Sequence, residues 1–242
     1  MNRNKLEHFT YSELREIAKE MDIPIRRSKD DLISDILTEF KEYEKYKREK
    51  IEKYTRYGQL GNPGKEGITY SVTTRDGTEY AMKTFKKSKS SERLVKEAEL
   101  QKMAADQDIA PNIIDLDTVS KFIVMEKMDT HLYDLIKKQG DVTLNQQKQL
   151  IGIYKKLDKA GVFHGDPNPL NYMYSGKKLY IIDFGRAKEI TRGLIKKLGT
   201  STPNLHIMTL GMILKLKDIG FPESSYTYLV KYLPDEYQDR FV

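Results

Sequence analysis

Two neighbouring stretches restrict this chain more than anything else in it. FHGDPNPLNYMY, residues 163–174, crowds Gly, Asp, two Pro and two Asn between aromatic residues, the composition of a tight loop. KLYIIDFG, residues 178–185, drives an apolar strand into an aspartate. A strand ending at Asp183, next to a loop carrying Asp166 and Asn171, would deliver two carboxylates and an amide oxygen to one cleft. Such oxygens are hard ligands, suited to a magnesium ion that also binds phosphates. The plain alternative for the first stretch is a surface turn, and its twelve residues alone do not decide.

The residues upstream add weight through their order. LGNPGKEGITY, residues 60–70, places Gly61, Gly64 and Gly67 ahead of a strand, and glycines let backbone N–H groups approach phosphate oxygens. It is not a Walker A loop, because five residues separate Gly58 from Gly64 and Glu66 follows Lys65 where Ser or Thr is needed. Next, Tyr70–Thr74 and Glu79–Lys83 flank Arg75-Asp76-Gly77-Thr78, a strong hairpin signal. The second of these strands holds Ala81-Met82-Lys83. A helix is expected over 91–105, and its Glu97 and Glu99, on different faces, are the two candidate carboxylates for Lys83. An apolar strand over 121–126 then runs into the polar exit Glu126-Lys-Met128, and a helix is expected over roughly 144–160. Helices are expected beyond residue 190, broken by TSTPN near residue 200.

Taken together, residues 57–215 resemble the protein kinase family. The resemblance implies an α+β, bilobal fold with a reduced C-terminal lobe, because only 57 residues follow Gly185 and no Ala-Pro-Glu signal occurs among them. It implies ATP and magnesium. Asp166 would accept the substrate hydroxyl proton, Asn171 and Asp183 would hold the metal, and Lys83 with Glu97 would form an ion pair over the phosphates. Gly61, Gly64 and Gly67 would cover the nucleotide, and Ala81 would line its site. Met125 would stand at the gatekeeper position, with Glu126 and Met128 offering backbone groups to adenine.

The departures are informative. Gly165 replaces the arginine that commonly meets a phosphorylated activation loop, which argues against that form of switching. Asn168 stands where serine kinases usually carry lysine, and His206 where the family usually has aspartate. Small bacterial effector kinases, some viral kinases and the kinase-like subunit of the KEOPS tRNA-modification complex are trimmed in a similar way. The expected activity is serine/threonine protein kinase, with a protein substrate and an activating protein partner. The alternatives are a kinase-fold ATPase, a partner-binding pseudokinase or, less in keeping with the sequence, a small-molecule phosphotransferase.

The 54 residues ahead of this region read differently. Thr10-Tyr-Ser-Glu13 is a capping box, Ile23-Pro24-Ile25 breaks the helix that follows it, and Ser28-Lys-Asp-Asp31 caps another. Residues 1–40 resemble the SAP and Rho-N class of small all-α modules, whose nucleic-acid contacts here would be Arg26, Arg27 and Lys29. A docking or spacer module is the alternative, since residues 1–54 carry 13 basic against 13 acidic side chains. KEYEKYKREKIEKY, residues 41–54, reads as a charged linker helix with ion pairs three and four apart. The kinase-like domain is expected over 55–242. The net charge of +6 therefore lies beyond residue 54, with Arg186, Lys188, Arg192, Lys196 and Lys197 as one basic segment. No apolar run of membrane-spanning length and no secretory signal occurs, and cysteine is absent, so an intracellular protein without membrane contact is expected.

Overall fold

The structure is a computed structural model that describes residues 1–241, with residues 47–52 described by backbone alone. It divides into two compact units: residues 1–56 with 73–78, and residues 57–72 with 79–242.

The first unit holds α1 (Arg3–Glu7), α2 (Tyr11–Glu20) and α3 (Lys29–Glu52). The capping box forms: the N–H of Thr10 donates to Glu13 Oε2 at 2.7 Å, and the N–H of Glu13 to Thr10 Oγ1 at 3.3 Å. Leu6, Leu14, Ala18, Ile23, Leu32, Ile33 and Ile36 form its buried core. Helix α3 crosses the expected boundary between residues 40 and 41 without a break. No Gly or Pro interrupts residues 29–52, so nothing local stops the helix where its apolar stripe ends. The ion pairs expected along 41–54 fall, for residues 47–52, outside the described side chains.

The second unit begins with strands β1 (Thr55–Leu60), β2 (Gly67–Thr73) and β3 (Glu79–Phe85), of which residues 55, 56 and 73 are counted with the first unit. Then come α4 (Ser91–Ala105), β4 (Ile113–Asp117) and β5 (Phe122–Glu126). These strands make one sheet in the order β1-β2-β3-β5-β4, with β3 antiparallel to β5 and Ala81 opposite Met125. Ser90 caps α4 by accepting the N–H of Arg93 at 3.3 Å. Leu94, Ala98, Leu100 and Ala104 bury its inner side, and Glu97 lies one turn from Leu94 on that same side. That placement buries Glu97 and leaves Glu99 exposed.

The remainder is mostly helical. It runs through β6 (Thr130–His131), α5 (Leu132–Gln139), α6 (Leu144–Lys159), β7 (Val162–Phe163), β8 (Tyr172–Ser175), β9 (Lys178–Ile181) and β10 (Lys188–Glu189). Helices α7 (Arg192–Leu198), α8 (Thr209–Ile219), α9 (Thr227–Val230) and α10 (Asp235–Gln238) complete it. Its core gathers α6, α8 and α9 around Leu150, Tyr154, Leu157, Met212, Ile213 and Leu229. Ahead of the Asp166 loop β7 pairs with β10, and after it β8 pairs with β6 and β9, so the chain on either side of the loop is fastened to a small sheet. The mixed α+β architecture expected from the sequence is present. Among the described residues no helix is long and apolar enough to cross a membrane.

Candidate active site

A cavity of about 560 Å³ opens in the second unit, and all twelve residues singled out from the sequence line it. Gly61, Gly64 and Gly67 line it from the glycine-rich stretch, Ala81 and Lys83 from β3, Met125 and Glu126 from β5, Met128 from just beyond β5, and Glu97 from α4. Asp166, Asn171 and Asp183 contribute from the loops. The size suits a small ligand. Leu60, Met173 and Ile182 add apolar wall that the sequence did not single out.

Backbone bonds bring the loop residues together. The N–H of Ile182 donates to the carbonyl of Asn171 at 2.8 Å, setting the end of β9 beside the loop. The N–H of Asn171 donates to the carbonyl of Asn168 at 2.9 Å, and its amide Nδ2 to the carbonyl of Asp166 at 3.2 Å. With the amide nitrogen so used, the Asn171 oxygen is the atom left to accept or to ligate. Asn168, in the position of the usual lysine, closes the turn by accepting the N–H of Leu170 at 3.1 Å. Gly165 has φ +74°, a left-handed conformation in which an arginine would be strained. Asp183 adopts φ +65° as well, backbone strain of a kind that concentrates at functional sites.

His164 is fully buried. Its N–H donates to Asn204 Oδ1 at 3.0 Å, and its Nε2 lies 3.0 Å from the carbonyl of Ile182. A carbonyl only accepts, so Nε2 carries the proton and Nδ1 is the bare nitrogen, which has no partner. Burial pushes the His164 pKa below its ordinary value, and the nearby carbonyl and carboxylates only partly offset this. Asn204 is itself fixed, donating from Nδ2 to Asp158 Oδ1 at 2.7 Å and to the carbonyl of Val162 at 2.7 Å. His206, at the position of the expected aspartate, instead pairs its Nδ1 with the Thr200 hydroxyl at 2.9 Å. Asn204, two residues earlier, is the side chain that holds the loop. The sequence offered only a proline-marked break there.

The charged groups form a chain. Lys83 Nζ lies 2.8 Å from Glu97 Oε1 and 2.7 Å from Asp183 Oδ1. Burial would lower the pKa of Lys83, but the carboxylates of Asp183 and Glu97 outweigh it and raise the value. Burial would likewise raise that of Asp183, and the Lys83 ammonium turns the balance downward. Lys89, which the sequence did not single out, contacts Glu97 Oε2 and lies 2.6 Å from Glu66 Oε2. Glu66 thus points from the glycine-rich loop to a lysine. Within that loop the N–H of Gly64 donates to the carbonyl of Gly67 at 2.8 Å.

Asn171 and Asp183 both line the cavity and offer it an amide oxygen and a carboxylate. Among the described residues no cluster of three or more His, Cys, Asp or Glu is placed to hold a metal unaided. That donor set suits a magnesium ion that takes its remaining ligands from water and phosphate.

Comparison with known proteins agrees with this geometry. The family model for the protein kinase domain matches residues 54–204. A probable serine/threonine-protein kinase BUD32 homolog of Archaeoglobus fulgidus is 32% identical over 117 residues, covering 48% of this chain and 56% of that protein. The KEOPS complex subunit Bud32 of Pyrococcus abyssi is 31% identical over 100 residues, 40% of this chain and 46% of the relative. Calcium-dependent protein kinase 7 of Arabidopsis thaliana is 31% identical over 142 residues, 50% of this chain and 26% of the relative. The chain thus spans between about a quarter and just over half of these curated relatives.

Proposed function

The chain belongs to the protein kinase family, and from that premise we propose that it transfers the γ-phosphate of ATP to a serine or threonine hydroxyl of a protein. The observation that carries the reading is the position of Lys83. It joins Glu97 and Asp183 at 2.8 and 2.7 Å on the wall of the cavity that also holds Asp166 and Asn171. Asp166 takes the proton of the acceptor hydroxyl as its oxygen bonds to the γ-phosphorus and the bond to ADP breaks. Lys83, held by Glu97, contacts the phosphates. Asn171 and Asp183 would hold a magnesium ion, which would neutralise charge on the phosphate oxygens. Gly61, Gly64 and Gly67 cover the nucleotide. Ala81 and Met125, paired across β3 and β5, bound the adenine site with Glu126 and Met128.

Switching by phosphorylation of the segment after Gly185 is not part of this proposal. Gly165 leaves no arginine before Asp166, and Lys96 of α4 already meets the carboxylate of Glu189 in that segment. Residues 1–40 act as a SAP-like targeting module, joined by residues 41–54 to a kinase domain over 55–242, in an intracellular protein. Of the cations implied for nucleic acid, Arg26 is paired with Asp35 at 2.7 Å, and Lys29 donates to the carbonyl of Glu7 at 3.0 Å. Protein docking is therefore the better supported role for that module. The name of the Pyrococcus relative places it in a complex, and an activating protein partner is proposed here by analogy.

The test is incubation with labelled ATP and magnesium, with and without a generic protein acceptor. Wild type should label protein. Asp166→Asn should lose about 10²- to 10⁴-fold of that rate, the usual worth of a general base, with its melting temperature unchanged. Undiminished transfer in the variant sinks the assignment of Asp166. ATP hydrolysis without protein labelling would replace the kinase reading with an ATPase.

A further inference from the structure

Lys89 lies in the connection between β3 and α4, and its side chain is only 8% exposed. The two oxygens of Glu97 each have a lysine, Oε1 with Lys83 and Oε2 with Lys89. Both ammonium groups also sit over the ring of Phe85, 5.1 Å from its centroid for Lys83 and 4.4 Å for Lys89. Lys89 reaches Glu66 at 2.6 Å, and the carbonyl of Glu66 accepts the N–H of Lys86 at 2.9 Å. The tip of the glycine-rich loop is thus fastened to the β3–α4 connection through backbone and side chain alike.

This arrangement matters once a nucleotide enters, on the reading of Lys83 and Asp183 proposed above. Asp183 would then serve the metal, and Lys83 would share its charge between Glu97 and the phosphates. Glu97, 3% exposed, would be left in a nearly dry site with its counter-charge divided. Lys89 is paired with Glu97 and Glu66 rather than with Asp183, and can hold the second oxygen throughout. We propose that Lys89 is a positioning residue: it keeps Glu97, and with it α4, in place while Lys83 serves the nucleotide, and through Glu66 it ties the glycine-rich loop to the same helix.

The test compares wild type, Lys89→Met and Lys89→Arg by amide hydrogen exchange over residues 91–98, with and without magnesium and a non-hydrolysable ATP analogue. In Lys89→Met, exchange should rise on the order of tenfold with the nucleotide bound and stay near wild type without it, since in the free variant Lys83, not yet shared with phosphates, still holds Glu97. Lys89→Arg should retain the wild-type pattern. In kinetics, kcat of Lys89→Met should fall by about 10- to 100-fold, the scale of a small misplacement of reacting groups, with little change in nucleotide affinity. Exchange that rises equally in both states, or in neither, overturns the proposal. If Lys89→Met does not fold, Lys89→Gln carries the same comparison with the charge removed. A wild type that binds nucleotide but transfers no phosphate sinks the kinase reading alone, because the exchange measurement still reads Lys89. A wild type that binds no nucleotide overturns both.

Discussion

The ion pairs of the first unit and those of the cavity differ in what surrounds them. Arg3 with Asp30 and Arg26 with Asp35 lie at 3.0 and 2.7 Å, distances like those in the cavity, yet their side chains are one-third to four-fifths exposed. Lys83, Glu97 and Lys89 are between 3 and 14% exposed, while their other partners, Asp183 and Glu66, are about half exposed, so the buried pairs are the two that share Glu97. In water such a pair contributes little, because solvent screens it and long side chains lose freedom in forming it. Removed from water, each charge depends on its partner, and losing one partner leaves the other in trouble. Similar distances therefore carry different consequences. The lesson is to weigh a charge pair by its burial before its length.

The largest break in that contrast is Lys83→Met. Phosphate transfer should fall by about 10²- to 10³-fold, comparable to removal of one preorganised donor at a developing negative charge. Stability should suffer less than the ~3–5 kcal/mol expected when a buried charge is orphaned, because Lys89 still meets Glu97. Urea unfolding of Lys83→Met against the Lys83→Met/Lys89→Met double variant checks this. The double variant should be the less stable by more than the two single changes combined. Simple additivity would mean that Glu97 does not depend on the second lysine.

A smaller effect is expected where the loop is held by packing rather than charge. A Cβ at Gly211 would stand 2.3 Å from Cγ of Pro167, so α8 lies against the loop that carries Asp166 at a distance only glycine permits. Gly211→Ala should displace Pro167 and cost about 1–3 kcal/mol, the usual range for overpacking. It should also lower kcat, and thermal melting paired with a transfer assay would show both. A variant of wild-type stability and rate would mean that the loop can yield at no cost.

How much of this could be read in the sequence follows the range of the forces involved. Helical periodicity is local and puts Glu97 and Glu99 on different faces, and the resemblance to the kinase pattern is what singles out Glu97. Asp183 and Asn171 could be brought together because a strand and an adjacent loop leave the chain few choices. The α+β class followed from the same local patterns. Asn204 and Asp158 were hidden, because the bonds that hold His164 join residues about forty positions apart in sequence. Lys89 was hidden for another reason. FKKSKSSER has the appearance of a solvated basic turn, and nothing in it says which lysine folds inward. The run of α3 through residue 40 was missed because a change of composition was read as a change of structure.

The smallest effect belongs to the first unit and tests the other half of the contrast. Arg26 donates to Asp35 at 2.7 Å, and the carboxylate raises the arginine's pKa through that bond. Arginine is charged in both folded and unfolded chains at any pH of interest, so the shift has no bearing on stability near neutrality. Exposure leaves the pair open to screening as well. Arg26→Ala should therefore leave the thermal midpoint of the first unit unchanged, at low salt and at high salt alike. Thr10→Ala is the internal control, since it removes a capping hydroxyl that accepts the N–H of Glu13 and should cost about 0.5–2 kcal/mol. If Arg26→Ala proved as damaging as Thr10→Ala, burial would not be what separates the two kinds of pair, and the Arg26–Asp35 bond would have to be counted as part of the unit's architecture.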